Sequence, residues 1–253
     1  MDNGFLVCGD THGNHRYISH KIKTTGIENT TIFHVGDFGV GFQNEHTDRD
    51  EMVNLNTTLA KYNCHLYVIR GNHDDPAYFD GSWEWSNLHL VPDYTVVTVN
   101  GDDVLMVGGA ISVDRLPRKR DIQHAASKGR DIGGYWYDEG FVLDADKLQD
   151  IKGVRYVITH SCPMFVMPIN NFDNKYSSHG MFVEHFVIDG DTKLKDDLNN
   201  ERVDISLMYE ILKDNNLIDK WFYGHYHDSN AMYYEDTDFV MLNINEFKEV
   251  RQS

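Results

Sequence analysis

The residues of this chain that could do metal chemistry occur in five short strings, and each string ends or follows an apolar run. In chain order the strings are Gly9-Asp10-Thr11-His12-Gly13, Gly36-Asp37, Gly71-Asn72-His73-Asp74, Thr159-His160 and Gly224-His225-Tyr226-His227. They supply carboxylate, imidazole and amide ligands, a mixture that favours manganese, iron, zinc or nickel over calcium. The ligands would be sufficient for two divalent cations about 3.5 to 4 Å apart, the separation of two-metal hydrolytic sites. The residue types therefore predict hydrolytic chemistry.

Each string alone is a weak signal, because an Asp-x-His or His-x-His pair is more often structural than a ligand pair. Asp10 and His12 are one residue apart, as are His225 and His227, so one tight turn can direct both side chains at the same ion. Gly9 lets the backbone approach closely. Because all five strings come at strand ends, where the loops of an open α/β sheet converge, a shared metal site is the stronger interpretation.

Hydrophobic patterning predicts the elements that position the first three strings. Residues 5–8, 31–35 and 66–69 are short apolar runs, each followed by a glycine-containing turn. Apolar residues at spacings of three and four predict a helix that begins near Thr47 or Asp48. Strand and helix alternate in this part of the chain, which predicts a βαβαβ unit with a parallel sheet.

The second part of the chain is predicted to add antiparallel strands and two excursions to the same domain, residues 1–253. An Asn-Gly step at residues 100–101 favours a tight hairpin, with which the sheet continues as antiparallel. Further predicted elements are strands at 154–158 and 221–223, a helix through Ile205 and Leu212, and a hairpin within 231–244. Residues 112–150 and 163–201 lack a clear period and are predicted to be loop excursions.

Composition limits the class of protein. The 253 residues are 41% hydrophobic, enough for a sizeable core, and three scattered cysteines do not suggest a disulfide framework. No segment approaches the roughly 18 to 20 consecutive apolar residues of a membrane span, so we expect no membrane association and a cytoplasmic location. The net charge of −17 makes long nucleic acid an improbable partner.

One basic segment stands out in this acidic chain. Residues 112–130 carry four arginines and two lysines against two aspartates. This segment could be a solvated loop. Alternatively, Arg115 and Arg118 could bind the substrate phosphate or a second anionic group beside the metals, since guanidinium groups suit bidentate phosphate contacts.

The five strings in this order resemble the calcineurin-like metallophosphoesterase superfamily, and the resemblance runs from Gly9 to His227. It implies an α/β fold, a two-sheet β-sandwich flanked by helices in four αββα layers, with a dinuclear site above the strand ends. The implied ligands are Asp10, His12 and His227 for one ion, Asn72, His160 and His225 for the other, and Asp37 as the bridge between them.

The resemblance also implies catalytic roles for two residues that would not bind metal. His73 would contact the phosphate, together with Asn72, and help the leaving group to depart. Asp74 would orient the His73 ring and favour its imidazolium form. A metal-bridging hydroxide would attack the phosphorus of a phosphate monoester or diester, with the phosphate ester as the partner.

The segment 108–115, with Trp136 downstream, resembles small bacterial and phage phosphoesterases whose substrates are poorly defined. Similar protein Ser/Thr phosphatases have Asp-Arg-Gly after the bridging aspartate, whereas this chain has Phe38 there. Protein Ser/Thr phosphatase activity is therefore less favoured. A nuclease on short or single-stranded nucleic acid, a protein phosphatase and a non-catalytic scaffold remain alternatives. The sequence leaves the oligomeric state open.

Overall fold

The computed structural model describes residues 4–130 and 132–251, which form two packed β-sheets with helices on the outer faces. The strands are β1 (Gly4–Cys8), β2 (Thr31–His34), β3 (His65–Val68), β4 (Leu88–Leu90), β5 (Thr95–Val99), β6 (Asp102–Val107), β7 (Val154–Thr159), β8 (Lys220–Tyr223), β9 (Asn230–Tyr234), β10 (Thr237–Met241) and β11 (Phe247–Arg251). The helices are α1 (His15–Thr25), α2 (Glu45–Lys61), α3 (Arg115–Ser127), α4 (Ala145–Asp150), α5 (Ser178–Ile188) and α6 (Leu194–Lys213). The predicted two-sheet α/β sandwich is confirmed.

The first sheet has the strand order β11-β1-β2-β3-β4. Strands β1 to β4 are mutually parallel, which confirms the predicted βαβαβ unit, and β11 is antiparallel to β1. Helix α2 begins at Glu45, slightly earlier than predicted, because Asn44 caps it by accepting a hydrogen bond from the Thr47 amide at 3.0 Å. The parallel strands bring the ends of β1, β2 and β3 to one edge.

The second sheet has the order β5-β6-β7-β8-β10-β9. The predicted hairpin is present, with Val97 paired to Val104, and the second hairpin pairs β9 with β10. The expectation that the first sheet continues through the β5–β6 hairpin was wrong, because residues 91–94 carry the chain across to the second sheet. Strands β6, β7 and β8 are parallel, so β7 and β8 also end at one edge.

Three apolar clusters fill the spaces between the layers. The cluster between the sheets contains Phe5 and Phe33 from the first sheet and Tyr156 and Phe222 from the second. A second cluster packs α1 and α2 onto the first sheet, and a third packs α4, α5 and α6 onto the second. The helices therefore cover both outer faces, and the rigid sandwich supports the strand ends.

The two predicted loop excursions contain helices, which corrects that expectation. Residues 112–150 include α3 and α4, and residues 163–201 include α5 and the start of α6. Helix α3 has no apolar period because, of its side chains, only Ala125 is buried. It is fastened by ion pairs instead, from Arg115 to Asp191 and from Arg120 to Asp189. These contacts join the two excursions over the edge where the strands end.

Two further sequence expectations concern the whole chain. Among the described residues, no helix combines the length and the apolar composition required for a bilayer span. Cys8, Cys64 and Cys162 are buried and free, as expected for reduced thiols.

Candidate metal centre

The predicted ligands lie where the strands of both sheets end. Asp10 and His12 follow β1, Asp37 follows β2, Asn72 follows β3, His160 follows β7, and His225 and His227 follow β8. Because these strands are parallel neighbours within each sheet, their carboxyl ends converge. The structure places the seven side chains in two adjoining groups, and each group draws residues from both sheets.

The first group consists of Asp10, His12, Asp37 and His227. One ligand atom from each lies within 4.8 Å of the others. His12 Nε2 is 3.0 Å from His227 Nε2, which is 3.5 Å from Asp10 Oδ2. Asp10 Oδ1 is buried and has no hydrogen-bond partner among the described residues. Such an oxygen is costly to bury unpaired, and a cation within this group would satisfy it.

The second group consists of Asn72, His160 and His225. His160 Nε2 lies 3.2 Å from Asn72 Oδ1, and the rings of His160 and His225 are 5.1 Å apart. His160 Nδ1 is 2.7 Å from the carbonyl oxygen of Val35, to which it donates a hydrogen bond. This contact directs Nε2 at the group, which is how an outer hydrogen bond orients a metal-binding imidazole.

Asp37 belongs to the first group and also contacts the second. Its Oδ2 is 3.8 Å from His12 Nδ1, and its Oδ1 is 3.1 Å from His160 Nε2. The two oxygens therefore face different groups, an arrangement in which one carboxylate could contact two ions. Burial would lower the pKa of His160, but the charge and the hydrogen bond of Asp37 overcome that effect and raise the pKa to about 10.

Several ligands have a strained backbone. Positive φ angles occur at His12 (46°), Asp37 (53°), His225 (69°) and His227 (53°). Non-glycine residues seldom adopt this left-handed conformation, and they persist there only when the surroundings hold them. At His12, a hydrogen bond of 2.8 Å from the amide to the carbonyl oxygen of Asp37 stabilises this conformation. The concentration of strain at the ligands is typical of a functional site.

Two glycines are required by close approach to the ligand carboxylates. A Cβ atom at Gly71 would lie 2.2 Å from Asp37 Oδ1, and one at Gly224 would lie 2.0 Å from Asp10 Oδ1. Both distances are too short for non-bonded atoms. The glycine of each string thus makes room for the carboxylate of a neighbouring string.

Asn72 is oriented by a buried hydrogen-bond chain. Its Nδ2 donates to Ser112 Oγ at 3.1 Å, and Ser112 Oγ donates to Glu139 Oε2 at 2.9 Å. The Ser112 amide donates to the other oxygen of Glu139 at 2.7 Å. Since the amide nitrogen of Asn72 is used in this way, its oxygen is the atom that faces His160. Sequence reasoning missed the roles of Ser112 and Glu139.

The predicted role of Asp74 differs from its observed contacts. Its carboxylate accepts hydrogen bonds from the amides of Phe38, Gly39, Val40 and Gly71, at 2.6 to 3.2 Å. The described contacts of Asp74 thus stabilise the loop around Asp37, and none of them reaches the His73 ring. Orientation of that ring by Asp74 stays a prediction without a contact to support it.

The His73 ring is held by other side chains, among them Arg118 and Phe42. Arg118 Nη2 donates to His73 Nε2 at 2.5 Å, and the ring of Phe42 stacks on it with 5.8 Å between centroids. Burial lowers the pKa of His73 to about 4, and the charge of Arg118 adds to this effect against the opposing charge of Asp37. This lowering is opposite to the imidazolium form expected from the sequence.

The two arginines of the basic segment have different surroundings. Arg118 reaches the site from α3 and also donates to the carbonyl oxygen of Asn72 at 3.2 Å. Arg115 pairs with Asp191 and Asp197, each at 2.7 Å, beside α5 and α6. The structure brings Arg118 to the predicted ligands, whereas the hydrogen bonds of Arg115 are directed at these carboxylates.

Helix α5 brings one more histidine to the site. The His179 ring is 5.6 Å from the His227 ring, and its buried Nδ1 has no hydrogen-bond partner among the described residues. Burial lowers the pKa of His179. Sequence reasoning missed this residue, because it is an isolated histidine within a segment predicted to be a loop.

The chain was compared with known proteins. No curated protein has a significantly similar sequence. Solved structures that match along most of this chain include a dimetal phosphatase from Danio rerio, with 10% identity and a TM-score of 0.49 over 96% of this chain and 88% of that one. Another is the phosphopantetheinyl hydrolase PptH from Mycobacterium tuberculosis, with 12% identity and a TM-score of 0.45 over 97% and 92%. These values are too low to transfer a function.

The family assignment comes from the sequence. The profile of calcineurin-like phosphoesterases matches residues 4–229, a range that contains all five strings. The same strings supply the clustered carboxylates and histidines at the strand ends. The chain belongs to the calcineurin-like phosphoesterase family.

Proposed function

We propose that this protein hydrolyses a small phosphate ester with two divalent ions, which could be manganese, iron, zinc or nickel. The observation that carries the proposal is the position of Asp37, whose two oxygens face two separate ligand groups. The residues that would hold the ions are Asp10, His12 and His227 on one side of Asp37, and Asn72, His160 and His225 on the other. The unpartnered Oδ1 of Asp10 and the mixed oxygen and nitrogen ligands support this occupancy.

When bound, two such ions supply Lewis acidity to the phosphoryl group and make hydroxide available near neutral pH. The protein's own contribution to substrate binding is the pair formed by Arg118 and His73 beside the ligand groups. The Arg118 guanidinium can donate charge-assisted hydrogen bonds to phosphate oxygens. A phosphate dianion beside the His73 ring would raise its pKa, so that the ring could donate a proton to the leaving oxygen.

Metal dependence is the first test of this proposal. Protein treated with a chelator should lose phosphoesterase activity and recover it with manganese or nickel at about two ions per chain. Asp37→Asn should reduce both metal content and turnover more than any other single ligand change, because Asp37 faces both groups. Asp146→Asn, at a solvent-facing position on α4, is the matched control. Full activity with no more than one bound ion, measured by elemental analysis, would contradict the two-ion mechanism.

A substrate panel distinguishes the proposed activity from the alternatives. The metal-loaded protein would be assayed with a phosphomonoester, a phosphodiester, a cyclic nucleotide, a phosphopeptide and a short oligonucleotide. Preference for one of the small esters is expected. Preference for the oligonucleotide would indicate a nuclease, and preference for the phosphopeptide would indicate a protein phosphatase. Binding of two ions without turnover of any member would favour a non-catalytic scaffold.

A further inference from the structure

A cavity of about 590 Å³ opens directly onto the predicted ligands. Its floor is formed by Asp37, Asn72, His73, His225 and His227. Pockets that enclose a whole small organic molecule have volumes of about 300 to 1,000 Å³. The cavity therefore has room for a phosphate and for a substantial part of the alcohol to which it is esterified.

The walls of this cavity come from the two excursions and combine an apolar surface with the polar residues Asp114, Asn170, Ser178 and His179. Val113, just before α3, and Pro117, in the first turn of α3, line it on the side of the first excursion, and Phe182 and Phe186 line it from α5. The two phenylalanine rings are nearly parallel, with 15° between their planes and 6.3 Å between centroids. Phe182 remains 54% exposed, so it has apolar surface that a ligand can cover.

Helical geometry explains why one helix can supply both the apolar wall and a polar group. His179, Phe182 and Phe186 are separated by three and four residues, so they lie on one face of α5. His179 is the residue of this face nearest the ligands, and its Nδ1 is buried without a partner among the described residues. The face thus changes from polar beside His227 to apolar farther along the helix.

The direction of the reaction places the alcohol in this cavity. In an in-line displacement the leaving oxygen lies opposite the attacking oxygen, which would approach from the floor if the ligand groups there held the ions. The leaving oxygen and its carbon skeleton must then extend away from the floor. The space in that direction is bounded by the phenylalanines of α5 and by Val113 and Pro117.

We infer that the substrate is a phosphate ester of an apolar alcohol, whose aliphatic or aromatic group packs between Phe182 and Phe186 on one side and Val113 and Pro117 on the other. This inference rests on the proposed phosphoesterase activity. Hydrolysis gives the free alcohol and inorganic phosphate, or a phosphomonoester if the substrate is a diester. Phe182 and Phe186 are then the residues that determine specificity.

A series of n-alkyl phosphates tests the inference, because ethyl, butyl, hexyl and octyl phosphate differ in apolar length but hardly in leaving-group basicity. Burial of one methylene contributes about 0.8 kcal/mol, which is about fourfold in kcat/KM. We expect kcat/KM of the metal-loaded protein to rise by about this factor per methylene until the cavity is filled. Binding of methylphosphonate and hexylphosphonate, measured by calorimetry, gives a second readout that needs no turnover.

Three variants identify the surface responsible. The ratio of kcat/KM for hexyl phosphate to kcat/KM for ethyl phosphate measures the dependence on chain length. Phe182→Ala and Phe186→Ala should each lower this ratio about tenfold. Ile188→Ala is the matched control, because Ile188 lies on the same helix but is 83% exposed and outside the cavity lining. This control should keep the wild-type dependence.

The possible outcomes distinguish the inference of an apolar alcohol from the phosphoesterase activity on which it rests. Hydrolysis of ethyl and hexyl phosphate at equal kcat/KM, with equal affinity for the two phosphonates, would overturn the inference and leave the phosphoesterase activity intact. An unchanged dependence on chain length in both phenylalanine variants would also overturn it. Absence of hydrolysis with every ester, despite two bound ions, would reject both the activity and the inference.

Discussion

Arg118 donates a hydrogen bond from Nη2 to Nε2 of His73 at 2.5 Å, and this contact links helix α3 to the loop after β3. Asp114 supports the guanidinium from the other side with an ion pair of 2.9 Å. The excursion that contains α3 therefore does more than cover the strand ends. It supplies a cation that contacts the predicted catalytic histidine.

Arg118→Ala should lower kcat/KM about tenfold or more, because a hydrogen bond to a charged group contributes about 1.5 to 3 kcal/mol. Lys128→Ala, which removes an exposed cation just after the same helix, is the control. Steady-state kinetics at fixed ionic strength would measure the difference. Equal kcat/KM for the two variants would show that Arg118 does not assist the substrate.

Arg115→Ala tests the other predicted substrate contact. Because Asp191 and Asp197 engage the Arg115 guanidinium, we expect kcat/KM to change by less than about threefold and the melting temperature to fall. Thermal unfolding and kinetics would be recorded on the same preparation. A tenfold loss of kcat/KM with unchanged melting temperature would return Arg115 to the substrate site.

Ser112→Ala should weaken metal binding even though Ser112 would not touch an ion. The substitution removes the partner that keeps Asn72 Nδ2 turned away from the ligand group, and loss of such outer contacts typically costs about 10- to 100-fold in metal affinity. Competition with a metal indicator would measure the affinity. Ser127→Ala, at the surface-exposed end of α3, should leave it unchanged; the same loss in both variants would argue against the orienting role.

Gly71→Ala should displace the Asp37 carboxylate, because the new Cβ atom would lie 2.2 Å from its Oδ1. We expect a loss of stability of about 1 to 3 kcal/mol together with reduced metal content. Gly140→Ala is the control, since its nearest contact would be an ordinary 3.4 Å to Ile111. The prediction fails if Gly71→Ala binds two ions with wild-type affinity.

Glu201 on α6 gives a pH-dependent prediction for stability. Burial raises the pKa of Glu201 from 4.5 to about 7, so its contribution to stability is full below about pH 4.5 and is lost as the pH rises through 7. Glu201→Gln removes this loss, and its unfolding free energy should improve relative to wild type by up to about 3 kcal/mol between pH 5 and pH 8. Chemical denaturation at both pH values would measure this.

The control for that experiment is Glu210→Gln, which changes a half-exposed carboxylate on the same helix. It removes the same charge outside the buried core and so controls for the change in net charge. If Glu201→Gln also shows a difference that does not vary with pH, the carboxyl of Glu201 titrates normally in the folded protein.

The sequence was informative where local patterns determine the structure. Alternating strands and helices predicted the βαβαβ unit, and the Asn-Gly step at residues 100–101 predicted its hairpin. The strings at the strand ends converge because parallel strands carry them to one edge. These predictions needed no knowledge of contacts between distant segments.

The remainder depends on tertiary contacts that no local pattern encodes. The chain passes from the first sheet to the second within the short connection between β4 and β5. Helix α3 is stabilised by ion pairs with distant aspartates. His179 becomes part of the site only because α5 packs beside His227. The contacts of Asp74 with four amides likewise could not be predicted from the sequence, since those amides belong to loops brought together by the fold.

Each ligand group draws side chains from both sheets of the sandwich. Bound ions would act as cross-links between the halves of the sandwich at this edge, and their binding energy would add to the folding energy. Scarcity of metal would then loosen the strand ends and expose the neighbouring chain to proteases. The abundance of the enzyme, as well as its activity, would follow the supply of metal.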